Sequence, residues 1–224
     1  MPPALDSRIV LPAAVGAVIV QVPAARLAGA LLLSGDGDPG PEAFLLAFLL
    51  LPSAAGIVWV WFFAVWREPG GWPDIGFAKV SGRWLWEAVA VGLLSVLAIM
   101  LITEMAAPWF GEPKGPPLPL PAEQALTRPL YLLVLVLGGA VIGPLMEEMV
   151  FRGLLFGWLR QRFNWWLAGA AAALAHALLH FDPGALPGLF VFFLFLAWLY
   201  ERAESLWVPA IVHGTHNFVV LQLG

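Results

Sequence analysis

No cysteine occurs in the 224 residues, which excludes disulfides, thiolate metal ligands and a cysteine nucleophile. Charge is also scarce. Charged residues make up 12% of the chain, about half the usual share of a soluble domain. The net charge of −4 is spread thinly with no basic run, so nucleic acid is excluded as a partner. The HExxH pattern of zincin metalloproteases is missing. So is any internal repeat of the kind that many secondary transporters carry.

What is abundant is apolar surface. The chain is 61% hydrophobic, with a mean hydropathy of +0.85. A hydrocarbon core of roughly 30 Å needs about 20 mostly apolar residues per helix. Apolar runs at 9–33, 43–66, 85–106, 129–150, 165–182, 185–200 and 206–223 meet or approach that length. The fold class is therefore all-α, a polytopic bundle of about seven transmembrane helices in the cell membrane, with the lipid bilayer as a partner. The first run is read as a membrane helix rather than a signal peptide, because Gln21, Pro23 and Arg26 interrupt it and no cleavage site stands out. Residues 35–42 form an acidic turn-rich loop, 67–84 an interfacial loop with tryptophans and cations, and the proline-rich stretch 108–122 an irregular loop. Arg8, Arg67, Lys79, Arg83, Arg160, Arg162 and Arg202 fall on one side of this arrangement, and only Lys114 and Arg128 on the other. By the positive-inside rule the N-terminus is cytoplasmic.

Against this background the polar residues of the apolar runs are conspicuous. Residues 143–153 read GPLMEEMVFRG, and all four histidines fall between 176 and 216. An ionised side chain in the bilayer costs about 2.5–3.5 kcal/mol on insertion scales, so it needs a partner or a task. Glu148 and Arg152 are four apart with the glutamate first, the favourable order for an ion pair. Glu147 points about 100° away and has no local partner. His176 and His180 share one helical face, as do His213 and Asn217, with His216 between the last two. A lone membrane histidine is commonly an interhelical hydrogen-bond partner, and His176 and His216 are read that way first, as possible accessories to a site. Three helices can nonetheless present carboxylate, imidazole and imidazole–amide faces to one cavity. A water held between carboxylate and imidazole is a hydrolytic arrangement.

Glu147-Glu148-Met149-Val150-Phe151-Arg152 reads EExxxR, followed by Gly153; His180 closes AHALLHF; and His213-Gly214-Thr215-His216-Asn217 reads HxxxN after LWVPAIV. In this order and on apolar helices, the three motifs resemble those of the CPBP family, the CAAX protease and bacteriocin-processing (Abi) proteins related to the Ras-converting CAAX endopeptidase. The likeness covers 129–224, the segment expected to carry the catalytic helices, while 1–128 holds membrane helices and loops without a family signal. The second motif is ambiguous. The family's FxxxH puts an aromatic residue four before the histidine, and here that position is His176. His180 is favoured because His-Phe ending a helix before a Pro-Gly turn fits the pattern; the other alignment uses His176 with Ala172 in the aromatic slot.

The resemblance implies hydrolysis of a peptide bond in a membrane-anchored peptide or protein substrate. It implies Glu147 as general base, His180 holding the water, His213 and Asn217 binding the oxyanion, and Glu148 with Arg152 bracing the site. An older view of the family places zinc on such residues, for which Glu147, His180 and His213 are the candidates; a metal-free mechanism is equally compatible. The alternative functions are a non-catalytic scaffold or immunity protein of the same fold and a proton- or metal-coupled transporter. With span four ending near residue 150, Glu147 and His213 come out toward the cytoplasmic side and His180 toward the other, a mismatch in depth.

Overall fold

The computed structural model describes residues 6–33, 40–66, 68–115, 118–120, 124 and 127–223. Most of loop 35–42, Arg67 and part of the proline-rich stretch lie outside the described residues. The described chain is helical. In order come α1 (Ser7–Leu32), α2 (Pro41–Val65), α3 (Gly82–Phe110), α4 (Pro129–Arg160), α5 (Trp165–Leu178), α6 (Leu186–Ala203) and α7 (Trp207–Leu223). Five of them, α1 to α4 and α6, are long and apolar enough to cross a membrane. At 1.5 Å per residue α7 spans about 26 Å and α5 only about 21 Å.

Local chemistry sets the ends. Asp6 caps α1 by accepting from the Arg8 N–H, and Asn164 caps α5 by accepting from the Leu167 N–H. Proline opens α2 and α4 in the first turn, where its missing N–H has no helical partner to lose. The interruption expected at Gln21 is a single irregular residue, Val20; Gln21 Nε2 returns to the Ala17 carbonyl and α1 continues.

Two boundaries depart from the sequence reading. α3 runs through Pro108 to Phe110, although 108–122 reads as loop throughout. Proline in a last turn forfeits one hydrogen bond and can be accommodated there; the helix stops at Gly111, whose φ of +85° suits glycine. α4 does not end near 150 but continues to Arg160. Its second half, Phe151 to Phe156, is almost wholly buried against α1 and the α2–α3 loop, so Arg160 marks the helix end rather than a distant loop.

That loop is tucked into the bundle. Trp72–Ile75 forms one 3₁₀ turn, Ile75 is completely buried, and Gly76, at φ +104°, lies flat on the Tyr200 ring where any side chain would collide. Leu206 N–H donates to the Gly76 carbonyl at 2.9 Å and the Ser205 hydroxyl to Ala78 O at 2.7 Å. Gly153 of α4 packs on the Ile75 carbonyl. The basic end of the bundle is thereby closed beneath residues 147–152. On the other flank α3 crosses α7 closely: a Cβ on Gly92 would sit 2.6 Å from Thr215 Cβ.

Within α4 the hydrogen bonding widens to i→i+5 over Val136–Ile142 and Met149–Phe156, with ordinary α-helix at Gly143–Glu148 between them. Wide turns of this kind are frequent at functional sites. Here they bracket the two glutamates.

Candidate active site

Counting from the α4–α5 turn explains who meets whom. Glu147 lies thirteen residues before Arg160 and His176 eleven after Trp165, so both sit about 17–20 Å from that turn. α7 starts higher, because Leu206 is held at the level of Gly76, and its seventh residue is His213. The mismatch in depth disappears once α4 extends to Arg160 and His176 replaces His180.

Glu148 is completely buried, and its Oε1 accepts from Arg152 NH1 at 3.0 Å and from His213 Nδ1 at 2.8 Å. Arg152, 1% exposed, uses the second hydrogen of NH1 on His176 Nδ1 at 2.9 Å and donates from NH2 to the Phe193 carbonyl at 3.0 Å. Its guanidinium also lies 5.1 Å from the centre of the Phe193 ring. The His176 imidazole is clamped between Phe151 and Phe193, ring centres 3.9 and 3.6 Å away and nearly parallel. Glu148 Oε2 is buried without a partner among the described residues.

Glu147 is different. Its side chain is 27% exposed, and Oε2 lies 3.2 Å from His176 Nε2 and 3.5 Å from His213 Nε2. Partner chemistry fixes the tautomers. A guanidinium only donates, so His176 Nδ1 accepts and its proton sits on Nε2, donating to Glu147. Glu148 Oε1 already accepts from Arg152, so His213 Nδ1 is the donor there and Nε2 is the atom turned toward Glu147. Glu147 Oε2 and His213 Nε2 are near enough for one water to hydrogen-bond both.

The remaining candidates take other positions. His180 is exposed one turn beyond His176, its Nδ1 3.2 Å from the His176 carbonyl. Asn217 donates to the Gly139 carbonyl at 3.0 Å, tying α7 to the first wide turn of α4. His216 bonds Ser95 Oγ at 2.8 Å and stacks on Phe192, an interhelical tie between α7 and α3. Sequence reasoning favoured His180 as the residue opposite Glu147 and read His176 as packing; the structure brings His176 to the carboxylate. It also missed Phe193 and Ser95. Phe193 acts partly through its backbone carbonyl, which no side-chain pattern reveals, and Ser95 is one hydroxyl in a 29-residue apolar helix.

The donor set does not suit a three-ligand zinc ion. The group whose ligand atoms come within 4.8 Å of one another is Glu147, His176 and His180, rather than Glu147, His180 and His213. In it, His176 offers an N–H, because its other nitrogen accepts from a cation; a zinc-bound histidine needs the reverse, a free lone pair and an acceptor behind it.

Residues 129–219 match the family model described as Type II CAAX prenyl endopeptidase Rce1-like. Over these residues the chain is similar to the CAAX-protease family. Among curated proteins it is 32% identical over 94 residues to "Putative membrane peptidase YdiL" of Bacillus subtilis (strain 168). That alignment covers 42% of this chain and 37% of the relative, so the chain spans well under half of that protein's length. No solved structure matches. The matched segment is α4 to α7, the helices that supply every group around Glu147.

Proposed function

We propose that the chain is an intramembrane endopeptidase that hydrolyses a peptide bond of a membrane-associated peptide or protein, with Glu147 as general base. The observation that carries this reading is the Glu147 carboxylate, partly open and bracketed by His176 Nε2 and His213 Nε2 at 3.2 and 3.5 Å, beside a charged cluster that is otherwise dry. A water bonded to Glu147 Oε2 loses a proton to it as the water oxygen attacks the scissile carbonyl. His176, held as its Nε2–H tautomer by Arg152, donates to the carboxylate and keeps it aimed. His213, anchored on Glu148 through Nδ1–H, turns Nε2 toward the same point; protonated there, it is a donor for the oxyanion, with Asn217 one turn further along the same face. Burial of Glu148 and Arg152 keeps these orientations fixed. The basic residues at the closed end of the bundle support, by the positive-inside rule, a cytoplasmic closed end and a cytoplasmic N-terminus in this reading.

The test is cleavage of a quenched-fluorescent peptide carrying an apolar membrane anchor, by the purified chain in liposomes. Glu147→Gln keeps an acceptor oxygen but removes the base. Turnover falls by about a thousandfold, within the range that a general base supplies. Retained cleavage in this variant, with the protein inserted and folded, would end the reading.

A further inference from the structure

Helix α5 ends in a way that its own packing does not ask for. Its last turn tightens to i→i+3 hydrogen bonds, from the N–H groups of Leu179, His180 and Phe181 to the carbonyls of His176, Ala177 and Leu178, each at 3.2 Å. Phe181 then takes φ +52°, the left-handed region that glycine usually fills at such helix ends. For a bulky side chain that backbone is strained. What holds it is not the ring, which is 81% exposed, as much as any large apolar side chain described. The chain is pinned from the far side instead, where the Asp182 carboxylate accepts from the N–H groups of Lys114, Gly184 and Ala185. Among the described residues the other non-glycine position at positive φ is Glu204, a polar residue at the end of α6. A strained residue that its neighbours hold in place is the kind of departure that collects at functional sites.

Position ties this residue to the site. Phe181 follows His180, one of whose ring nitrogens lies within 4.8 Å of a Glu147 carboxylate oxygen and a His176 ring nitrogen. Leu178 and Leu179, 53% and 42% exposed, belong to the same end of α5, so the open edge beside Glu147 is apolar. An extended substrate advances about 3.3 Å per residue, so with its scissile carbonyl at Glu147 the flanking side chains stand at this edge. Resting on the peptidase reading above, we propose that Phe181 determines specificity: its ring receives a large apolar side chain next to the scissile bond. The left-handed backbone presents the ring without help from packing, so its apolar surface is left for the substrate. Contact between the two removes both from water and supplies the preference. Glycine at this position would relax the backbone but lose that contact.

Anchored peptides that carry leucine or alanine beside the scissile bond, on each side in turn, separate this role from membrane anchoring and from helix termination. The parent prefers leucine on one side. Phe181→Gly and Phe181→Asn, both suited to the left-handed backbone, lower that kcat/KM preference by at least about tenfold, the lower end of what one apolar contact contributes to discrimination. The change lies in KM for the leucine peptide, because the ring binds substrate and transition state alike. Phe181→Leu keeps apolar bulk and most of the preference. Phe181→Gly also holds the melting temperature or raises it by up to about 4 °C, since it releases the strain. An unchanged leucine-to-alanine ratio, no leucine preference in the parent on either side, or a lowered melting point in Phe181→Gly would overturn the proposal. Glu147→Gln, run on the same peptides, separates the two readings. If the parent cleaves none of them, or Glu147→Gln cleaves like the parent, the peptidase reading itself fails; if Glu147→Gln is dead while Phe181→Gly keeps the parent's ratio, only selection by Phe181 does.

Discussion

The inner wall of the site and its mouth use the same residue types for opposite ends. In the wall, Glu148, Arg152 and His213 are at most 2% exposed, and Arg152 donates to a carboxylate, an imidazole and a backbone carbonyl at once. At the mouth, Glu147 and His180 meet solvent, and Glu147 is shared loosely between two imidazoles. Adjacent glutamates thus differ in what surrounds them rather than in what they are. A saturated, buried group is held in one state; a partly open one is free to exchange protons. The comparison predicts that stability and turnover separate by position: wall variants unfold the bundle, mouth variants leave it folded and slow.

The wall gives the largest expected effect on stability. Arg152→Met leaves Glu148 buried without its cation and His176 Nδ1 without its donor. Breaking a buried pair from one side costs about 3–5 kcal/mol, read as a fall in the melting temperature of the detergent-solubilised protein. Converting Glu148→Gln in the same chain recovers much of that loss, since an uncompensated charge no longer remains. Glu147→Gln, by contrast, shifts the melting point little. If Arg152→Met melts like the parent, the wall is not the structural element described here.

Much of this difference was legible in the sequence. The four-residue spacing and the order of Glu148 and Arg152 announced the ion pair, and the 100° step announced that Glu147 faces elsewhere. The helices appear where the apolar runs lie. Two things were hidden. The extent of α4 was obscured because residues 151–160 mix apolar side chains with Gly153, Gly157 and Arg160, and only the tucked loop 72–80 shows why that stretch is buried. The choice of histidine followed from the same point, since the depth of Glu147 depends on where α4 ends. A neighbour four residues away on one helical face is a difference of about 6 Å in depth, which a motif alone does not resolve.

A second boundary lies where α3, outside the family-matched segment, presses on α7. Gly92 tolerates no side chain there: its Cβ would meet Thr215 Cβ at 2.6 Å and the Val212 carbonyl at 2.8 Å, and a carbonyl on a packed helix cannot step aside. Gly92→Val forces the helices apart, at about 1–3 kcal/mol for overpacking. Because Val212 precedes His213, the displacement moves the imidazole on Glu148, and turnover falls together with the melting point. Loss of stability with unchanged turnover would show that α3 buttresses the bundle without setting the site.

The mildest change asks the same question at one atom. Ser95 Oγ donates to the Gly92 carbonyl at 2.7 Å and accepts from His216 Nδ1 at 2.8 Å, a bond buried between α3 and α7. Ser95→Ala leaves the His216 N–H without an acceptor, which costs about 1 kcal/mol, or a melting point about 2–4 °C lower in a chain of this size. His216 remains stacked on Phe192, and His213 remains clamped by Glu148, so the atoms that face Glu147 do not move. Turnover of the anchored peptide is then expected within about threefold of the parent, since a displacement costing under about 0.7 kcal/mol at the transition state amounts to no more than that. A fall of a hundredfold would mean that the wall extends through His216 into α3, and that the helices without a family signal help to aim His213.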